Sequence, residues 1–306
     1  MTLCLMLWPG NSSVRAQSSN ESLAARFRKV TPESRWELID TIRLGFNAHH
    51  TQGLVRVGED FFLTAVEVKR WPKKYGQMKG KFDRDTGEGI GHLFRFNRDG
   101  VLLEDLRLGE GSIYHPGGLD FDGSALWVPV CEYRPYGPSI VYRIEAGKMK
   151  AEKAFEFDDA LGALAFDKTT HTLLGGNWGS RGLYRWQVAG NGKVENAASP
   201  ATPNPSFYID YQDCHDAGEG MLLCSGLRNY AGADFGKPYP MGGLDLISTA
   251  DLRPVHQLPV TLWAPSGRVM TSNPAWIEVS PHGLLAYFIP DDDEQAILYV
   301  YEIKLR

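Results

Sequence analysis

The sequence predicts an all-β chain folded as a five-bladed propeller, on three observations: a hairpin that recurs along the chain, a turn-rich composition, and an early strand that completes the last repeat. The hairpin is plainest in His115 to Glu132, HPGGLDFDGSALWVPVCE, where Asp122-Gly123 divides two alternating apolar runs, the strongest short-range hairpin signal. Gly 33, Pro 18 and eight Trp, spread among many short apolar runs, fit strands joined by turns rather than helices.

The first twenty residues differ from the rest. Thr2 to Trp8 is apolar, Asn11 to Asn20 is small and polar, and Val14-Arg15-Ala16 resembles a cleavage site, so residues 1–22 read as a signal peptide or a disordered tail. The signal-peptide reading predicts a periplasmic or secreted protein. Residues 34–306 then form a single propeller domain.

Trp36 to Ile42 reads as a strand with no partner nearby. The first repeat follows: Gly53 to Val57, Phe61 to Glu67, His92 to Phe96 and Val101 to Leu108. The second runs from His115 through Ile140 to Ile144 and Ala154 to Phe157. A third starts at Ala160 and includes Gly182 to Trp186. The fourth starts near Tyr211 and continues through Gly243 to Ile247 and Val255 to Val260, and the fifth runs from Asn273 to Ile303. Starts at 50, 115, 160, 211 and 273 are separated by 65, 45, 51 and 62 residues, the period of propeller blades with loop insertions. The last repeat has only three strands, so Trp36 to Ile42 supplies its fourth and leaves no open sheet edge. A six-bladed ring is the alternative and needs another repeat inside the long fourth segment.

Cys214 and Cys224 flank Gly218-Glu219-Gly220, and a three-residue hairpin loop there sets them opposite each other for a disulfide. Two buried thiols are the alternative reading, and Cys131 stays unpaired. The net charge of −5, with no basic block, excludes a nucleic-acid track as the main partner. No run approaches a membrane span. A small molecule or peptide is the expected ligand, and a monomer the expected state.

In a propeller the first strand of each blade starts, and the second ends, on one face. His50, His115, Ala160, Tyr211 and Asn273 occupy the starts, and Glu67, Glu132, Asn177, Arg228 and Asp291 the ends. Counted back from two-residue turns, His115 shares a face with Glu132, and His50 with Glu67. Imidazole with carboxylate suits one divalent cation in the channel or a general base held by its partner, so His50, His115, Glu67 and Glu132 are candidate catalytic groups and candidate metal ligands. The plain alternative is cross-strand hydrogen bonding to channel water. Cys131 would face away from His115 in this register.

Candidate ligand-binding residues are Gln52, Trp71, Arg134, Asn177, Trp178, Tyr211, Arg228 and Asn273. The insertion from Lys69 to Gly91, basic and aromatic, reads as a lid, and these guanidinium and aromatic groups suit an anionic ligand. Asp291 to Glu294 reads as a solvated turn, so replacing Asp292 with Ala should be silent.

Thr51-Gln52-Gly53-Leu54 after a clasp strand resembles the five-bladed glutaminyl cyclotransferases of plants and bacteria, which implies a cyclotransferase-like activity. That family's acidic residue in the following strand would fall at Leu63 or Thr64, where this chain has none. The repeated HxxGL and Asp213-Cys214-His215-Asp216 resemble a bacterial and fungal propeller family of unknown function. Glu67, Asn177 and Asp291 are similar in type to the residues that gluconolactonase-like propellers place around a channel cation, which implies a metal-assisted hydrolase of the lactonase or esterase kind. An exported propeller with a small-molecule site at the channel mouth is the resulting expectation, and a non-catalytic ligand-binding or protein-interaction propeller the alternative.

Overall fold

The computed structural model describes residues 21–231 and 238–305. The suspected signal segment lies outside them apart from Glu21 and Ser22. A short helix α1 (Leu23–Phe27) precedes β1 (Trp36–Arg43). Blade one is β2 (His50–Val57), β3 (Asp60–Arg70), an inserted hairpin β4 (Lys74–Lys79) and β5 (Phe82–Arg84), then β6 (Glu88–Phe96) and β7 (Leu102–Leu108). Blade two has a split inner strand, β8 (Ile113–Pro116) and β9 (Asp120–Phe121), followed by β10 (Ala125–Glu132), β11 (Ser139–Glu145) and β12 (Lys150–Phe157). Blade three is β13 (Leu161–Asp167), β14 (Thr172–Asn177), β15 (Gly182–Gln187) and β16 (Thr202–Pro203). Blade four is β17 (Asp210–Gly218), β18 (Met221–Tyr230), β19 (Tyr239–Ser248) and β20 (Pro254–Val260). Blade five is β21 (Ala275–Ser280), β22 (Gly283–Phe288) and β23 (Ile297–Lys304).

Five blades it is, and the ring closes as the repeat pattern requires: β1 pairs antiparallel with β23, Trp36 opposite Ile303 and Arg43 opposite Ile297. Each neighbouring pair of blades shares one apolar core. The inner strands carry continuous apolar runs because both faces are buried, and alternation sends successive residues to opposite neighbours. In β10, Leu126, Val128 and Val130 pack toward blade one, whereas Trp127 packs on Leu164, Phe166 and Trp186 of blade three. Outermost β12 is mostly exposed and β7 alternates, since each meets solvent on one face.

The packed residues begin before position 34. Ala24, Phe27 and Val30 are fully buried in the core shared by blades four and five. Ser22 accepts from the Ala25 amide at 3.0 Å and so caps α1, a contribution of about 1 kcal/mol that a chain cut after Ser22 would lose.

At the ring centre the inner strands touch. A Cβ on Gly53 would lie 2.7 Å from Gly118 Cα, and one on Gly118 2.6 Å from the Gln212 carbonyl, so glycine is required where three blades converge. The Asp213 carboxylate of blade four accepts the amides of Leu54 at 2.7 Å and Leu119 at 3.2 Å, from blades one and two. Asp120 of blade two accepts those of Phe166 at 2.9 Å and Asp216 at 3.0 Å, from blades three and four. Burial pushes the Asp213 carboxyl well up and that of Asp120 up to about 7. Backbone and buried carboxylates therefore fill the axis here, leaving the blade ends above it as the concave surface.

Candidate functional site

Near that mouth, register decides which side chains meet. From the Gly58-Glu59 turn, Leu54 pairs with Leu63 and Gly53 with Thr64, but the ladder slips at Gln52, so His50 stands opposite Val66, not Glu67. In blade two the slip falls between β9 and β8, and His115 stands opposite Cys131, while Glu132 faces Ile113. Similar slips occur at Gly162 and Gln212. Each bulge adds one residue and turns the side chains beyond it to the other face. The expected His50/Glu67 and His115/Glu132 pairs are therefore corrected, as is the expectation that Cys131 faces away from His115.

The two histidines still converge, their ring centroids 6.3 Å apart. Tyr133 lies with them, 4.0 Å from the His115 ring and 6.5 Å from that of His50. Trp71 and Trp178 flank this group, 5.9 and 5.8 Å from Tyr133. Trp71 is 60% exposed, as a group on the rim of a binding surface would be.

His50 Nδ1 lies 3.2 Å from Asp292 Oδ1. A carboxylate only accepts, so Nδ1 carries the proton and Nε2 keeps its lone pair. Asp292 is itself held by Arg268 at 2.8 Å and by the Asn273 amide at 2.9 Å. Hydrogen bonds and charge from His50 and Arg268 outweigh its burial and lower its pKa. The solvated-turn reading of Asp292 is corrected: its side chain is 17% exposed, and His50 from the start of β2 meets Arg268 and Asn273 from the loop before β21 on it. His115 is buried, and burial, with the neighbouring His50, pushes its pKa down to about 3, so the ring is neutral near pH 7. Its Nε2 has no hydrogen-bond partner among the described residues.

The other expected site residues divide. Asn177 and Trp178 line a cleft of about 350 Å³ together with Met78, Lys81, Asp83 and Arg181, at the small end of the range of small-molecule sites. Lys81 and Asp83 belong to the blade-one insertion, which leans over this cleft rather than over the axis alone. Gln52 occupies the bulge and donates to the Thr51 carbonyl at 2.8 Å. Asn273 serves Asp292 and Thr51. Arg134 is committed to Glu132 at 2.6 Å and covers the Phe82 ring; Glu132 also accepts from Ser112 at 2.7 Å. Arg228 and Arg181 share Asp210 at 3.2 and 3.1 Å. Tyr211 is not at the mouth. It is 5% exposed, and its hydroxyl donates to buried Asp245 at 2.8 Å. Glu67 lies with His49 and His92, so the four-residue cation set expected from the sequence is not assembled.

The sequence matches the family described as "Family of unknown function (DUF6454)" over residues 12–306. The chain belongs to this family. Its fold is that of the unknown-function propeller family suggested by the HxxGL repeats and Asp213 to Asp216. No curated protein matches the sequence. Among solved structures, a hypothetical protein from Leishmania major is 7% identical, with a TM-score of 0.50, over 88% of this chain and 92% of that one; this likeness is one of fold alone. A calcium-binding regucalcin from Agrobacterium tumefaciens is 13% identical over 89% of this chain and 95% of that one, TM-score 0.48. A luciferin-regenerating enzyme is 10% identical over 87% and 95%, TM-score 0.47.

In this family member, sequence reasoning missed Asp292 and Tyr133. Tyr133 lies between Glu132 and Arg134, both already candidate site residues, and that position was a usable signal. Asp292 sat inside an acidic run whose composition says solvent; only its contacts with His50 and Arg268 distinguish it from Asp293 and Glu294.

Proposed function

We propose that the mouth of this propeller is a small-molecule site with hydrolytic acid–base chemistry, of the lactone or ester class. The observation that carries this reading is His50, oriented by Asp292, meeting the rings of Tyr133 and neutral His115 at the mouth. Nε2 of His50 takes a proton from the water that attacks an acyl carbon, and returns it to the leaving alkoxide. Asp292 keeps the tautomer and stabilises the imidazolium that forms in between. His115, its Nε2 out of solvent reach, backs the Tyr133 ring. Trp71, Tyr133 and Trp178 supply apolar walls.

The protein is proposed to work as a monomer in the periplasm or outside the cell. Paired Cys214 and Cys224, directly opposite in β17 and β18 with Cα atoms 4.1 Å apart, support an oxidising compartment. The turn between them has two residues, Glu219 and Gly220, both with positive φ, and a bulge near Ala217 restores the opposition that a three-residue loop was expected to provide.

A panel of lactones, esters and amides tests the reading, with wild type beside H50Q and D292N. Turnover of a lactone or ester should fall at least 100-fold in H50Q while the melting temperature holds; full turnover in H50Q would remove His50 from the chemistry. A second reading, a non-catalytic ligand-binding propeller, is favoured by the exposed Trp71 and by Arg84 over Trp178 at 5.9 Å. It predicts ligand quenching of tryptophan fluorescence with no turnover of any panel member.

A further inference from the structure

The Glu67 that the bulge turns away from His50 arrives beside two other histidines. We propose that His49, Glu67 and His92 form a binding site for a divalent transition metal of zinc's class, with Asp105 as the residue that positions His92. The three ligand atoms lie within 4.8 Å of one another. His92 Nε2 and Glu67 Oε2 are 4.0 Å apart, too far for a hydrogen bond, and the His92 nitrogen has no other partner among the described residues. The His92 side chain is only 5% exposed, so an unpartnered ring nitrogen there is a cost that a bound cation would remove.

Tautomer and orientation suit a metal. His92 Nδ1 donates to Asp105 Oδ1 at 2.8 Å, which leaves the lone pair on Nε2, the atom aimed at Glu67. A carboxylate behind a ligating imidazole is the usual outer partner of a zinc-bound histidine. Phe94 and His49 both pack against the His92 ring, at 5.0 and 5.2 Å, and lie 6.2 Å from each other. Glu67 divides its oxygens: Oε1 takes Lys69, and Oε2 is left for the cation. His49 also holds a left-handed backbone, φ 53°, uncommon for a residue other than glycine and frequent at ligand clamps.

Tetrahedral zinc with bonds near 2.0–2.1 Å places its ligand atoms about 3.3 Å apart, so the three must close by about an ångström. Half-buried His49 and Glu67, the latter 27% exposed, provide both that freedom and a solvent route. Three protein ligands leave a fourth position for water or a ligand oxygen. The site shares no side chain with His50, Asp292 or His115 and stands or falls separately from the hydrolytic reading.

Untagged full-length protein, stripped with chelator, should take up one Zn²⁺ in competition with a chromophoric chelator, and neither Mg²⁺ nor Ca²⁺ should compete. Co²⁺ should give the visible absorption of four-coordinate cobalt. H49A and E67Q, at half-exposed positions where folding is not at stake, should each weaken Zn²⁺ at least 10-fold, and D105N should weaken it by a comparable factor through the His92 ring. H50Q should bind Zn²⁺ as wild type does. Absence of stoichiometric Zn²⁺ uptake by wild type, or uptake undiminished in an H49A/E67Q double variant, would overturn the proposal.

Discussion

Asp292 is where one side chain has the most to answer for. Removing its carboxylate strips Arg268, Asn273 and His50 of a shared acceptor in a largely buried setting, which costs about 1–3 kcal/mol. Urea unfolding of D292A should therefore show a lower midpoint, whereas E294A, at an exposed position of the same run, should match wild type. His115 contributes through protonation. Its folded pKa, about 3, lies below the ordinary 6.5, so the unfolded chain takes the proton first. Stability from the neutral ring is complete above about pH 6.5 and is lost as pH falls through that window toward 3. The loss is on the order of 1 kcal/mol per pH unit for this one group. H115Q should unfold with a shallower decline between pH 6.5 and 4.5 than wild type, as read from urea midpoints at each pH; parallel declines would mean the ring is not held neutral.

Elements explain why the ladder was easier to foresee than the site. Blade strands announce themselves through apolar runs bounded by Asp-Gly or Gly-Glu turns, and β1 through its lack of a nearby partner. Bulges carry no such mark. Gln52 and Gln212 are ordinary strand residues, yet each moves every side chain between itself and the strand start to the opposite face. Pairing by counting back from the turn thus brought His50 to Glu67, when the slip delivers His50 to Asp292 and the regular β3–β6 ladder puts Glu67 on the face of His92. The position of His50 and His115 near one another survived because both blades slip alike. Helix α1 was hidden for another reason: five residues are too few for a periodic signal, and its stability comes from packing. Phe27→Ala should consequently cost about 3–5 kcal/mol, a core-sized loss from outside the repeats, visible in urea or thermal unfolding. A loss below about 1 kcal/mol would show that α1 does not dock on blades four and five.

For the whole molecule, stability is organised as a ring of five apolar interfaces tied at the axis by Asp213 and Asp120. Opening any one interface exposes two blade faces at once. Deleting residues through Ile42 removes the clasp and bares the outer edge of β23, so the shortened chain should unfold at far lower urea concentration or fail to accumulate folded; melting like the full chain would contradict closure by β1. Because the axis is filled, the proposed ligand site is the mouth, where His50, His115, Tyr133, Trp71 and Trp178 meet. Soaking crystals of the protein with a library of small lactones, esters and aromatic carboxylates tests this most directly. Bound fragments should lie between Trp71, Tyr133 and Trp178, with a polar atom within hydrogen-bond reach of His50 Nε2. Fragments gathering elsewhere, or a mouth that stays free of them across the library, would contradict it.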